Sequence, residues 1–218
     1  MIPLKFDDRG LVVAIAQDRL TGRIQMVAWM NAEAFEKTVE TGRATFWSRS
    51  RAALWTKGET SGHVLDVFEI RVDCDRDAIL LLVEPAGPSC HTGEPTCFFE
   101  AVDGGRLVRR PAEGPLLEAL AAEIEARKAS DAGKSYTKSL LDGGAEKIGG
   151  KLREEADELA RAIAGESAER VASEAADVIY HLMVGLASRG VSHREVLAAL
   201  GKRRGTSGHV EKANRPRG

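Results

Sequence analysis

At Pro111-Ala112-Glu113-Gly114-Pro115 this 218-residue chain changes its alphabet. The Pro and Gly content reads as a linker, and the two sides demand different kinds of core. Before it, short apolar runs at 11–17 and 23–29 flank a turn-like Thr21-Gly22. Further runs at 44–49, 64–73 and 78–84 are rich in Val, Ile, Phe and Trp, which suit strands. One helix is predicted at 31–41: Asn31 can cap it, Glu33 and Glu36 favour its first turns, and Gly42 ends it. Residues 84–96 contain three prolines and read as a loop, and Asp103-Gly104-Gly105-Arg106 reads as a hairpin turn.

After the linker, Ala, Leu, Glu, Lys and Arg dominate at helical spacing. Helices are predicted at 116–128, 140–164, 167–187 and 192–202. Gly143-Gly144 and Gly149-Gly150 weaken the second, Gly190 ends the third, and the tail from 208 to 218 is polar. Val171, Ala175, Val178, Ile179, Leu182 and Leu186 have the spacing of one buried helical face. No internal repeat is visible. The expected fold is therefore α+β, with a β-rich domain over 1–113 and an all-α helical bundle over 114–218. A net charge of −2 gives no basic balance for nucleic acid. No apolar run is long enough to cross a bilayer, and the N-terminus has no long apolar targeting segment. A reducing, cytoplasmic location is expected.

The three cysteines are spaced Cys74-x15-Cys90-x6-Cys97. An odd count argues against a disulfide framework. Cys74 lies inside Asp73-Cys74-Asp75-Arg76-Asp77, and Cys90 precedes His91. Three thiolates can hold zinc and leave its fourth position open, while the acid triplet offers hard oxygens to a magnesium-type cation. Unrelated buried thiols are the bland alternative.

Between 46 and 63, Arg49, Arg51 and Lys57 stand among hydroxyls and a Gly-flanked turn, which suits phosphate recognition. Trp47 and Trp55 are candidates for stacking on a base or for core. The run Trp-Ser-Arg-Ser-Arg, then Leu-Trp-x-Lys-Gly-Glu-Thr-Ser-Gly, then Asp-Cys-Asp-x-Asp, then Cys-His-Thr-Gly and Cys-Phe resembles phosphoribosyl-AMP cyclohydrolase over about residues 11–99. The resemblance implies that Cys74, Cys90 and Cys97 ligate zinc. It also implies that Asp73, Asp75 and Asp77 bind magnesium and that His91 transfers a proton. Trp29, in Val27-Ala28-Trp29-Met30-Asn31, stands where that family more often has tyrosine. The chemistry is consistent: zinc lowers the pKa of a bound water toward neutrality, supplying a nucleophile for purine C6 before the N1–C6 bond opens. Zinc deaminases attack the same carbon, but their His-x-Glu and Pro-Cys-x-x-Cys signature is absent.

In the helical half, Glu154, Glu155 and Glu158, followed by Glu174 and Asp177, have spacings that can share helix faces. If the two helices pack antiparallel, these acids can converge around Mg²⁺; a solvated acidic face is the alternative. Glu-Glu-x-x-Glu followed by Glu-x-x-Asp resembles the MazG-like nucleotide pyrophosphohydrolases. Together with Ser135-Tyr136-Thr137, Lys151-Leu152-Arg153-Glu154-Glu155 and Asp177-Val178-Ile179-Tyr180-His181, it resembles phosphoribosyl-ATP pyrophosphohydrolase over about residues 116–215. Arg153 stands where that family often has glycine. Lys138, Lys147 and Lys151 are candidate phosphate contacts.

Taken together, the resemblances imply a bifunctional enzyme of histidine biosynthesis acting on phosphoribosyl nucleotides with Zn²⁺ and Mg²⁺. The alternatives are a zinc deaminase joined to a house-cleaning pyrophosphatase, or a zinc-stabilised β module with a helical dimerisation domain. A homodimer is expected, because the short helical hairpin gains core by pairing and Cys74 need not meet Cys90 and Cys97 within one chain. The cyclohydrolase resemblance likewise implies a dimer with zinc ligands from both subunits.

Overall fold

A computed structural model describes residues 3–110, 115–129 and 135–204. The chain divides into two compact units, Met1–Pro115 and Leu116–Gly218. Most of the expected linker, and the expected boundary at 113/114, lie outside the described residues, as does the 208–218 tail.

The first unit is built on a six-stranded sheet of order β4-β3-β2-β1-β6-β5. Its strands are β1 (Val12–Asp18), β2 (Ile24–Met30), β3 (Thr45–Ser48), β4 (Ala53–Thr56), β5 (Leu65–Val72) and β6 (Ala78–Pro85). Five of the six match expected runs. β4 was not expected as a strand; it lies in the 46–63 segment read for its basic residues. Strand alternation explains the core: Val12, Ala14 and Ala16 are buried while Val13, Ile15 and Gln17 are half-exposed. The buried face also carries Met30, Phe46, Leu65, Ile79, Leu81 and Val83. Helix α1 (Ala32–Thr41) covers it with Ala34, Phe35 and Thr38. Asn31 caps α1 through Ala34 N–H, and Gly42 ends it at φ +67°. The opposite face keeps Val13, Ile15, Leu80 and Leu82 half-exposed and Val27 exposed. A hairpin, β7 (Glu100–Asp103) and β8 (Arg106–Arg109), forms around the expected turn.

The second unit contains α2 (Leu116–Ala129), α3 (Tyr136–Asp142), α4 (Gly144–Gly165), α5 (Ala168–Ser188) and α6 (His193–Arg203). The single helix expected over 140–164 is a correction: the chain breaks at Gly143. Gly144 sits at φ +69°, a left-handed conformation that an uninterrupted helix cannot hold. Gly149 and Gly150 lie inside α4 without breaking it. The expected buried stripe of α5 is also corrected. The residues buried are Glu174, His181, Met183, Val184 and Ala187, whereas Ile179 and Leu182 remain exposed. Helices α2, α3 and α4 pack against α5 and select a face rotated from the apolar stripe. The core is Ile124, Leu140, Ile148, Met183, Val184 and Ala187.

Two candidate active sites

The loop after β6 is fastened to the start of β2. Cys97 N–H donates to Gln25 O at 2.9 Å, Thr96 Oγ1 donates to Ile24 O at 2.7 Å, and Ser89 Oγ donates to Gln25 Oε1 at 2.8 Å. These bonds hold Cys90, His91 and Cys97 at one cleft of about 570 Å³, shared with Lys57, His63 and Trp55. Cys90 is buried. Burial works against its thiolate, but hydrogen bonds from the Thr92 side chain and backbone, from Cys97 and from His91 N–H prevail and lower its pKa. Thr92 Oγ1 lies 3.1 Å from Cys90 Sγ, and His91 Nδ1 lies 3.9 Å from it. Burial and the neighbouring Cys90 push the Cys97 thiol up to about 11. Burial likewise pulls the Lys57 ammonium below its ordinary value, against the attraction of Cys97 and Cys90. Lys57 Nζ is anchored on His63 O at 2.9 Å. Two adjacent thiols, one favoured as thiolate and the exposed Cys97 disfavoured, are donors of the type a soft cation takes.

Cys74 is elsewhere. It is exposed, in the turn between β5 and β6, and no cluster of three potential ligands among the described residues includes any of the cysteines. Around it, carboxylate oxygens of Asp73, Asp75 and Asp77 lie within 4.8 Å of one another. Asp77 is shifted up, chiefly by the charge of Asp75, while Ala78 N–H lowers Asp73. Arg76 holds a left-handed φ of 72° at the centre of this turn.

A second recess of about 830 Å³ adjoins the first, since Met26, Arg51, Trp55 and His91 line both. Arg49, Trp29 and Trp47 belong to it. Arg49 and Arg51 are exposed, and Arg51 Nε approaches Ser48 Oγ at 3.3 Å.

In the helical unit, α4 and α5 bring Glu155, Glu158 and Glu174 together, with one carboxylate oxygen of each within 4.8 Å of the others. Glu174 is buried. Its Oε1 pairs with Arg170 Nη1 at 2.6 Å, and its Oε2 is buried with no hydrogen-bond partner. Burial raises the Glu174 pKa; Arg170 opposes this, and Glu158 and Asp177 add to it. An orphaned carboxylate oxygen facing two further carboxylates fits a divalent cation. Asp177 is exposed outside the tight cluster, though near enough to act on Glu174. Glu154 is exposed and pairs with Lys151 at 2.9 Å, because one residue along a helix turns the side chain by about 100°. Lys151 also reaches Glu155 at 3.8 Å, so it borders the cluster. Lys138 instead pairs with Asp142, and Lys147 donates to Ser139 O.

Three groups at this site had no assigned role from sequence. Arg170 was missed, although its i,i+4 spacing to Glu174 signals the pair. His181 is buried, with Nδ1 2.8 Å from Asp177 O and Nε2 3.0 Å from Tyr136 Oη. Tyr136 and His181 belong to the quoted motif, but only packing brings α3 and α5 together.

A family model described as phosphoribosyl-AMP cyclohydrolase matches residues 26–99, and one described as phosphoribosyl-ATP pyrophosphohydrolase matches residues 117–204. Histidine biosynthesis bifunctional protein HisIE of Thermosynechococcus vestitus is 47% identical over 202 residues, spanning 92% of this chain and 94% of the relative. This chain belongs to the bifunctional histidine-biosynthesis family. The HisIE protein of Parasynechococcus marenigrum is 45% identical over 207 residues, 93% of each chain. The family extends to Arabidopsis thaliana, whose chloroplastic member is 45% identical over 223 residues, covering 97% of this chain and 79% of its own. The two matched segments divide as the two compact units do, one family description to each candidate site.

Proposed function

We propose that the helical unit hydrolyses phosphoribosyl-ATP to phosphoribosyl-AMP and pyrophosphate, and that the β unit then opens the purine ring of phosphoribosyl-AMP at N1–C6. For the first step the carrying observation is Glu174, buried with an unpartnered Oε2 beside Glu155 and Glu158. These three would hold Mg²⁺, with Asp177 adding negative charge nearby. When bound, Mg²⁺ neutralises triphosphate charge and helps orient water at phosphorus. Arg170 fixes the Glu174 carboxylate, and Lys151, which borders the cluster beside Glu155, would meet phosphate.

For the second step, Cys90 and Cys97 would hold zinc, which supplies activated water when bound. His91, which lines the same cleft, would give a proton to the departing N1. Lys57, Arg49 and Arg51 supply positive charge for the two phosphates of the substrate. Asp73, Asp75 and Asp77 would take Mg²⁺.

The third thiolate, Cys74, comes from a second copy of the chain in a homodimer. Its separation from Cys90 and Cys97 supports this, as do the exposed Ile179 and Leu182 and the half-exposed apolar face of the sheet. No helix among the described residues is long and apolar enough to cross a membrane. A reducing cytoplasm suits thiolate ligands, although the Arabidopsis relative is named chloroplastic. Purified protein given phosphoribosyl-ATP should release pyrophosphate and then form the ring-opened imidazole-carboxamide product. Ammonia release would point to deamination instead, and no turnover of either nucleotide would defeat the proposal.

A further inference from the structure

The Arg49 guanidinium lies over the Trp29 ring, with Cζ 3.4 Å from the ring centroid. Arg49 reaches this stack from the turn just past the end of β3. Trp29 on β2 is paired with Trp47 on β3, and Arg49 follows two residues later. The turn starts beside the Trp29–Trp47 pair, within reach of a long side chain. A guanidinium stacked on an indole gives up its flat face and keeps its in-plane N–H donors. Several exposed arginines of this unit spend their donors on carboxylates: Arg9 on Asp7, Arg71 on Glu69 and Arg110 on Asp103. No carboxylate partner of Arg49 is found among the described residues, and its side chain lines the recess that continues to His91. Arg49 is thus ordered, desolvated on one face, and left with its anion-binding edge unspent.

We propose that Trp29 is a positioning residue for cyclohydrolysis, holding the Arg49 guanidinium by cation–π stacking so that it meets a substrate phosphate already ordered. A long arginine left free would lose rotamer freedom on binding and weaken affinity, whereas one held in advance does not. The inference rests on the assignment of this cleft to phosphoribosyl-AMP and adds a role for Trp29 that is exerted through Arg49. Because stacking acts before and during the reaction alike, its loss raises KM and leaves kcat nearly constant.

The test is a double-mutant cycle on the full-length protein, with phosphoribosyl-AMP as substrate and inorganic phosphate as a competing probe of the arginine. Arg49→Ala should raise KM about tenfold, and Trp29→Leu about three- to tenfold, with kcat within about twofold, the scale of one cation–π contact. The double variant should be no more than about twofold worse than Arg49→Ala alone, since Trp29 acts only through Arg49. Inhibition by phosphate should weaken in the same proportion. Trp29→Tyr, which keeps a smaller π face, should fall between wild type and Trp29→Leu, and it carries the cycle if the leucine variant does not fold. Single effects that multiply would reduce Trp29 to a packing residue and overturn the proposal. An unchanged KM in Arg49→Ala would remove the phosphate contact itself, and the inference with it.

Discussion

If Cys74 serves the zinc site of a partner subunit, two inactive chains should repair each other. Cys74→Ala retains Cys90 and Cys97, which share one cleft and are held there by the loop bonds to β2. Cys90→Ala retains Cys74, exposed in the β5–β6 turn. Each homodimer has a defect at both sites. A mixed dimer has one site with all three thiolates and one lacking two of them. Random pairing of equal amounts makes about half of all dimers mixed, and half of their sites are intact. About a quarter of wild-type ring-opening activity should therefore return after the variants are unfolded and refolded together with zinc. Tightly held zinc should recover to the same fraction, because sites short of a thiolate hold the ion weakly. Cyclohydrolase rate and zinc per chain are measured side by side, with phosphoribosyl-ATP hydrolysis as the control for refolding. If each chain completed its own site, every site in every mixture would lack one ligand. Activity and zinc would then stay at the level of the separate variants, and the shared-site argument would fail.

Glu174→Gln should lower phosphoribosyl-ATP hydrolysis at least ~100-fold while cyclohydrolysis of added phosphoribosyl-AMP persists; equal rates would return the acids to an ordinary surface role. The same residue makes a pH prediction for metal-free protein. Burial raises its folded-state pKa, so its contribution to stability is fully present below the unfolded carboxylate pKa and is lost as pH rises through the raised value. The metal-free melting temperature of the wild type should carry a downward step there, absent in Glu174→Gln, and identical pH profiles would contradict it. Gly58→Ala should cut cyclohydrolase activity at least ~10-fold. Its φ is +82°, and a Cβ there would lie 2.3 Å from the His63 carbonyl carbon, displacing the turn on which Lys57 is anchored. Unimpaired activity in that variant would show that the turn can shift without consequence for the cleft.

Local chemistry was legible because neighbours along the chain decide it. Apolar runs, several rich in Val, Ile, Phe and Trp, marked β1, β2, β3, β5 and β6, Asn31 and Gly42 bounded α1, and the change at 111–115 divided β from α. The acid triplet was legible for the same reason: Asp73, Asp75 and Asp77 are brought together by one turn. Glu155 and Glu158 share a face at i,i+3, but their meeting with Glu174 depends on how α5 is rotated against α4. That rotation buried Glu174 and His181 and left Ile179 and Leu182 exposed, the reverse of what apolar spacing alone suggests. The glycines at 143–144 signalled a weak point, but only the left-handed φ of Gly144 makes it a break between α3 and α4. Cys90 and Cys97 converge through hydrogen bonds to β2, some seventy residues earlier in sequence, while Cys74 does not join them. Sequence carries which donors exist and which face of their own element they occupy. Tertiary packing decides which donors meet, because burial and charge act through space between segments whose separation along the chain says nothing of their distance.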